Sequence, residues 1–180
     1  LKLVIFDCDG VLVDSEATCC GISAEEARAA GMNVPAEQAV AKFSGMAVPE
    51  IQKIIEKETG KNLGPDWSLN VQARFVSAMK NGVEPIDGVY AMLEQVQKLS
   101  LPVRVGSNSS CEEMEAKFHA TNMKHFFENR IHSARDMGVP KPRPDVYLYA
   151  AQQEGVKPEN CVVIEDSNTG AKAAVDAGMM

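Results

Sequence analysis

The chain has 180 residues, of which 45% are hydrophobic and 24% charged, and a formal net charge of −7. That composition excludes a disordered chain, a collagen and a coiled-coil rod, and no apolar run approaches the roughly 18 residues that a membrane helix needs. An acidic surface offers no favourable long-range field to nucleic acid or an anionic membrane, although a local site or a bound cation still admits a small anionic substrate.

Leu3-Val4-Ile5-Phe6 is continuously apolar and stops at Asp7. Such a run predicts a strand buried on both faces, as in a parallel sheet. Residues 15–84 carry helical patterns (24–30, 36–43, 49–59 and 67–80) and no strong strand, with turn signals at Gly31, Gly60, Gly64-Pro65 and Gly82. This stretch is too long for a simple crossover and reads as an inserted helical domain, leaving residues 1–14 and 85–180 as the core. A helix over 89–98 presents Val89, Met92, Leu93 and Val96 on one face. Val103-Arg104-Val105-Gly106 predicts the second buried strand, and residues 111–120 a helix. Arg130-Ile131-His132-Ser133 is a weaker strand candidate, and residues 146–153 are helical. Cys161-Val162-Val163-Ile164 predicts the third strong strand, and an alanine-rich helix over 169–177 stops at Gly178. Strands alternating with helices predict an α/β core with a mainly parallel sheet.

Cys8, Cys19, Cys20, Cys111 and Cys161 form no C-x-x-C pair, so zinc and thioredoxin readings lack their spacing. An odd count with one adjacent pair predicts reduced thiols in a cytoplasmic protein. The first apolar run is too short for the core of a secretory leader. A chain that starts at Leu1 is expected to lack a short N-terminal piece.

A polar cluster follows each strong strand: Asp7-x-Asp9-Gly10, Ser107-Asn108-Ser109-Ser110, and Glu165-Asp166-Ser167. In a parallel sheet the three strand ends share one edge, and ligands bind just outside it. Asp7, Asp9, Glu165 and Asp166 would repel one another there unless protonated or bound to a cation. Oxygen ligands without His or Cys suit magnesium, which retains positions for water and a phosphate oxygen. Ser107 and Asn108 offer donors to other phosphate oxygens, and Lys141, within Lys141-Pro142-Arg143-Pro144, is the candidate balancing cation. Each feature alone has a plainer reading: D-x-D as turn chemistry, Ser107-Asn108 or Glu165-Asp166-Ser167 as helix starts, and Lys141 as an exposed loop residue. Their joint placement after three strands favours the site. His119, His125 and His132 fit no ligand or triad spacing and read as structural, and Trp67 and the methionines as packing residues.

Asp7-Cys8-Asp9-Gly10-Val11-Leu12-Val13-Asp14-Ser15 resembles the D-x-D-G-[TV]-L-x-D-[ST] signature of the haloacid dehalogenase superfamily. Ser107-Asn108, Lys141-Pro142-x-Pro144 and Glu165-Asp166-Ser167 with Gly170 are similar to its second, third and fourth motifs, in the same order. The resemblance implies a Rossmann-like core, and the insert is similar to the small α-helical cap of the β-phosphoglucomutase-like subgroup, hinged near Asp14-Ser15 and Glu84-Pro85. It implies a magnesium-dependent phosphatase acting on a small phosphorylated metabolite, with a sugar phosphate as the expected type. Asp7 would be the nucleophile that forms an aspartyl-phosphate. Asp9 would protonate the leaving alkoxide and then activate water. Magnesium would be held by Asp7, the backbone carbonyl of Asp9, Glu165 and Asp166. Ser107, Asn108 and Lys141 would hold the phosphoryl oxygens. An acid at Asp9 favours phosphoryl transfer over dehalogenation, because a halide leaving group needs no proton.

The runner-up is a sugar-phosphate mutase. Mutases of the subgroup carry a His after the first motif and an Arg after a G-x-S turn. Here Cys19 and the Val48 of Gly45-Met46-Ala47-Val48 stand at those places, and Lys42 or Lys53 would have to bind a second phosphate. A third reading, a non-catalytic phospholigand-binding module on the same fold, is opposed by the intact Asp7 and Asp9. The resemblance also implies a further strand beyond Met180, so a truncated C-terminus or a missing edge strand is expected.

Overall fold

The computed structural model describes residues 1–44 and 46–180. The chain divides into two units, one formed by residues 1–14 and 82–180 and the other by residues 15–81.

The first unit is built on a four-stranded parallel sheet. β1 (Leu3–Phe6) lies between β4 (Val103–Ser107) and β6 (Cys161–Ile164), and β5 (Ile131–Ser133) flanks β4, giving the order β5-β4-β1-β6. The register places Val4 beside Val103 and Val162, and Phe6 beside Val105 and Ile164. Side chains alternate across a strand, and both faces of β1 are buried. Val4 and Phe6 face a core that includes Val89 and Leu93 of α5 (Val89–Lys98) and Met114 and Phe118 of α6 (Cys111–Ala120). Leu3 and Ile5 face Val146, Tyr147 and Ala150 of α7 (Asp145–Gln153) together with Ala173 and Ala174 of α8 (Asn168–Asp176). Two helical layers thus cover one sheet, which is why the strand reads as an unbroken apolar run.

Two findings depart from the sequence expectation. β4 is not apolar on both faces. Arg104 is 9% exposed, and its guanidinium donates to Glu154 at 3.0 Å, His132 Nε2 at 2.8 Å and the Gln153 carbonyl at 3.4 Å. Full pairing is what permits a buried charge at that position. A short antiparallel pair, β2 (Val13–Asp14) with β3 (Glu84–Pro85), also forms, and two-residue strands leave no periodic signal in a sequence.

The second unit is helical among its described residues: α1 (Glu16–Ala29), α2 (Ala39–Phe43), α3 (Val48–Thr59) and α4 (Trp67–Lys80). Its core gathers Ala24, Ala27, Phe43, Ile51, Ile55, Trp67, Val71 and Phe75, so Trp67 packs as expected. α3 ends on Gly60 in the left-handed conformation, the usual helix stop. No helix among the described residues is long and apolar enough to cross a membrane.

Candidate active site

Because the four strands run parallel, Asp7, Ser107 and Glu165 leave the sheet at one edge. After β1 the chain turns sharply: Gly10 N–H donates to the Val13 carbonyl, and Leu12 and Val13 N–H both donate to the Cys8 carbonyl. Gly10 has a φ of +76°, and a Cβ there would lie 2.0 Å from Asp166 Oδ2. Glycine is required twice over, by conformation and by the close approach of a carboxylate.

Asp7 is 7% exposed. Its Oδ1 is buried without a hydrogen-bond partner, although Lys141 Nζ is 3.0 Å away in ion-pair contact. Burial pushes the Asp7 carboxyl up to about 7; Lys141 pulls against that rise, while Glu165 and Asp9 add to it. Lys141 is nearly inaccessible. Its ammonium also donates to Glu165 Oε1 at 2.7 Å, Tyr147 Oη at 3.1 Å and the Gly106 carbonyl at 3.3 Å. Burial disfavours its charge, but the Asp7 and Glu165 carboxylates and Tyr147 outweigh it and hold the ammonium above its ordinary range. Glu165 moves the other way. Against the cost of burial, Lys141 and the Ser167 donors hold its carboxyl below the usual range. Those donors are Ser167 N at 2.7 Å and Ser167 Oγ at 2.9 Å.

Asp7, Glu165 and Asp166 each offer an oxygen, and the three atoms lie within 4.8 Å of one another. An all-carboxylate set with a buried oxygen lacking a hydrogen bond fits a hard divalent cation. The Asp9 side chain points elsewhere. Its Oδ1 accepts from Lys117 Nζ at 2.6 Å and its Oδ2 from Ser109 Oγ at 2.6 Å.

The helix-cap alternatives also resolve. α6 is capped by Ser110, whose Oγ accepts from Glu113 N at 3.1 Å, so Ser107 and Asn108 are not spent on that task. Ser107 Oγ accepts from Ser109 N at 3.2 Å, and Asn108 Oδ1 accepts from Lys141 N at 2.8 Å, tying the second and third motif loops together. α8 is capped by Ser167, whose Oγ accepts from Gly170 N. All seven residues expected at the site, Asp7, Asp9, Ser107, Asn108, Lys141, Glu165 and Asp166, lie in or adjoin this one set of contacts. Sequence reasoning missed Tyr147, Glu113 and Lys117, and it named Ser109 only as a member of the polar cluster after the second strand. Only Lys117 left a trace, as a lysine between the core residues Met114 and Phe118 and four positions after Glu113.

Of the positions that weighed on the mutase, Val48 is buried at the start of α3. Lys42 is paired with Glu58 at 3.3 Å, and Cys19 is half-buried on α1. Gly45 lies outside the described residues.

The fold and the carboxylate–lysine edge define a phosphoryl-transfer class of α/β protein. Residues 4–180 match the haloacid dehalogenase-like hydrolase family, and the chain belongs to that family as a phosphoric monoester hydrolase. It is 32% identical to the 6-phosphogluconate phosphatase of Escherichia coli, over 99% of this chain and 80% of that protein. The fructose-1-phosphate phosphatase YqaB of the same organism is 30% identical over 98% of this chain and 92% of its own length. Among solved structures, a conserved haloacid dehalogenase-like protein of unknown function from Agrobacterium tumefaciens superposes with a TM-score of 0.83 at 34% identity, covering 99% of this chain and 80% of that one.

Proposed function

We propose that the protein is a magnesium-dependent phosphatase that hydrolyses a small phosphorylated metabolite, of the sugar-phosphate type, through an aspartyl-phosphate on Asp7. The observation that carries this reading is the Asp7 carboxylate itself: buried, with one oxygen lacking a hydrogen bond, 3.0 Å from Lys141 and grouped with Glu165 and Asp166. Asp7 attacks phosphorus, the bond to the leaving oxygen breaks, and Asp9 supplies the proton that oxygen takes up. Asp9, now ionised, takes a proton from the water that attacks the aspartyl-phosphate, which releases phosphate and restores both groups. Lys141, held by Glu165, faces the phosphoryl group beside Asp7, and Ser107 and Asn108 supply further donors at the same edge. Asp7, Glu165, Asp166 and the backbone carbonyl of Asp9 would hold the magnesium ion, which when bound neutralises charge on the phosphoryl group. Residues 15–84 are proposed as the cap that selects the leaving group. The relatives named for 6-phosphogluconate and fructose 1-phosphate support a sugar phosphate as substrate.

The test is phosphate release, with magnesium, from 6-phosphogluconate, fructose 1-phosphate, other small sugar phosphates and p-nitrophenyl phosphate, run beside Asp7→Asn. Selective release from one or two sugar phosphates, lost in the variant, is expected. No release from any member would overturn the phosphatase reading and turn attention to sugar-phosphate isomerisation.

A further inference from the structure

Lys117 has no exposed surface at all, yet it sits in the apolar layer formed by α6 and β1. An unpaired ammonium there would be prohibitive, and all three of its donors are in fact used. They reach Asp9 Oδ1 at 2.6 Å, Glu113 Oε1 at 2.6 Å and Ser109 Oγ at 3.0 Å. Ser109 has one proton to give, and its shorter contact is to Asp9 Oδ2 at 2.6 Å rather than to Glu113 Oε1 at 3.1 Å. Both oxygens of the Asp9 carboxylate are therefore held from the α6 side.

Stability alone gives no reason for this arrangement. A buried ion pair is commonly matched or bettered by apolar residues of the same volume, and methionine would fill the lysine's place beside Met114 and Phe118. What distinguishes the pair is its third member. The Glu113–Lys117 bridge is local to one helix, but the ammonium reaches across 108 positions of sequence to Asp9. Around the sheet edge, two buried lysines each join one aspartate of the D-x-D motif to one glutamate. Lys141 joins Asp7 to Glu165, and Lys117 joins Asp9 to Glu113. Asp7 thereby stays with the metal-type cluster, and the Asp9 side chain is kept out of it.

We propose that Lys117, acting with Ser109, is a positioning residue that fixes the Asp9 carboxylate in one orientation, away from the Asp7–Glu165–Asp166 cluster, for proton exchange with the leaving oxygen and the attacking water. This rests on the acid–base reading of Asp9. Glu113 completes the pairing of the ammonium, so that its charge is tolerated inside the core. The cation exchanges no proton with substrate in this scheme.

The experiment compares kcat/KM for two esters: p-nitrophenyl phosphate, whose leaving group departs without a proton, and the alkyl phosphomonoester turned over fastest in the panel above. Lys117→Met strands two carboxylates, so it is paired with Lys117→Met/Glu113→Gln, which removes the cation and one buried charge together and keeps the test open if the single variant unfolds. In a folded variant, kcat/KM for the alkyl ester is expected to fall about 10–100-fold further than for p-nitrophenyl phosphate, part of the 10²–10⁴ that general acid–base catalysis supplies. In an Asp9→Asn background, Lys117→Met should add no further selective loss, because the two residues act as one. Parallel losses on both esters, or full activity in the folded double variant, would overturn the positioning role. Asp9→Asn run alone separates the two claims: if it shows no leaving-group selectivity, the acid–base reading fails first and this proposal falls with it.

Discussion

Replacing glycine with alanine inside a helix ordinarily stabilises it by about 0.5–1 kcal/mol. At Gly170 the sign should reverse. Gly170 lies in the first turn of α8, and a Cβ built on it would be 1.5 Å from Glu165 Oε1 and 2.0 Å from Glu165 Cδ. No small adjustment relieves such an overlap, so the carboxylate must leave its place. Leaving breaks its three shorter hydrogen bonds, to Lys141 Nζ, Ser167 N and Ser167 Oγ, as well as a longer one from Tyr147 Oη at 3.3 Å. Hydrogen bonds to a charged group contribute about 1.5–3 kcal/mol each. If new contacts recover half of that, the loss is still about 2–4 kcal/mol and exceeds the gain in helix propensity. The net cost is about 1–3 kcal/mol, or a fall in Tm of roughly 3–10 °C for a chain of this size. Gly21 is the control. It lies within α1 with nothing inside 4 Å of its Cβ position, so Gly21→Ala should raise the Tm of its unit by about 2–8 °C. Circular-dichroism melts of the two variants, with kcat/KM on p-nitrophenyl phosphate, decide the matter. Gly170→Ala should lose activity as Lys141 loses one of its two carboxylates. A Gly170→Ala protein as stable and active as the wild type would refute the steric account of the fourth motif.

Asp7→Asn should abolish turnover without lowering Tm, since an amide relieves the repulsion from Glu165 and Asp9 that helps to raise the Asp7 carboxyl; more than about a tenth of wild-type activity remaining would count against the nucleophile. Magnesium should raise the Tm of the metal-free protein, by about 2.7 kcal/mol of stability at a hundred times Kd, and dialysis against excess EDTA should abolish phosphate release. Full activity after that treatment would contradict the three-carboxylate metal site. Burial, and Arg104 beside it, hold the His132 imidazole down at about 4 against an ordinary 6.5. The unfolded chain therefore binds more protons between those values, and the stability His132 contributes is complete above about pH 6.5 and lost as pH falls towards 4. Discounted for its partial exposure, the contribution is about 1–2 kcal/mol. Urea midpoints at pH 4.5 and 7 should diverge less in His132→Asn than in the wild type, and an equal divergence would show that His132 is not the titrating group.

The sheet was legible because a parallel strand covered on both faces must be apolar throughout, as Leu3–Phe6 is; Cys161–Ile164 is just as apolar in sequence, although it lies at the sheet edge and leaves Ile164 exposed. The helical pattern over residues 24–30 predicts a start at residue 24, but α1 begins at Glu16. Thr18-Cys19-Cys20-Gly21 are poor helix formers, and Gly21 reads as a break. Burial of Cys20, Ser23, Ala24 and Ala27 on one face overrides that local preference. Arg104 shows the same limit in a strand, since its pairing with Glu154 and His132 is tertiary information.

At the site, what could be read was whatever a strand end announces locally: a carboxylate, a hydroxyl or a glycine directly after an apolar run. Tyr147 announces nothing and Lys117 only its pairing with Glu113, because each takes its meaning from a partner far away in sequence. Lys117 reads as one more charged residue on a helix until Asp9 is found against it, and Tyr147 as a core aromatic until its hydroxyl is found on Lys141 and Glu165. The D-x-D motif shows the consequence. Two residues apart in sequence, Asp7 and Asp9 look like one acidic cluster, and in a metal-free reading they simply repel. The fold assigns each aspartate its own buried lysine, one on the loop before α7 and one on α6. Side chains that alternate predictably within a strand no longer do so past its end, where the turn at Gly10 redirects the chain. Identical carboxylates are thereby set in different surroundings, one among metal-type ligands and one among hydrogen-bond donors, and the different chemistry proposed for the two rests on that difference.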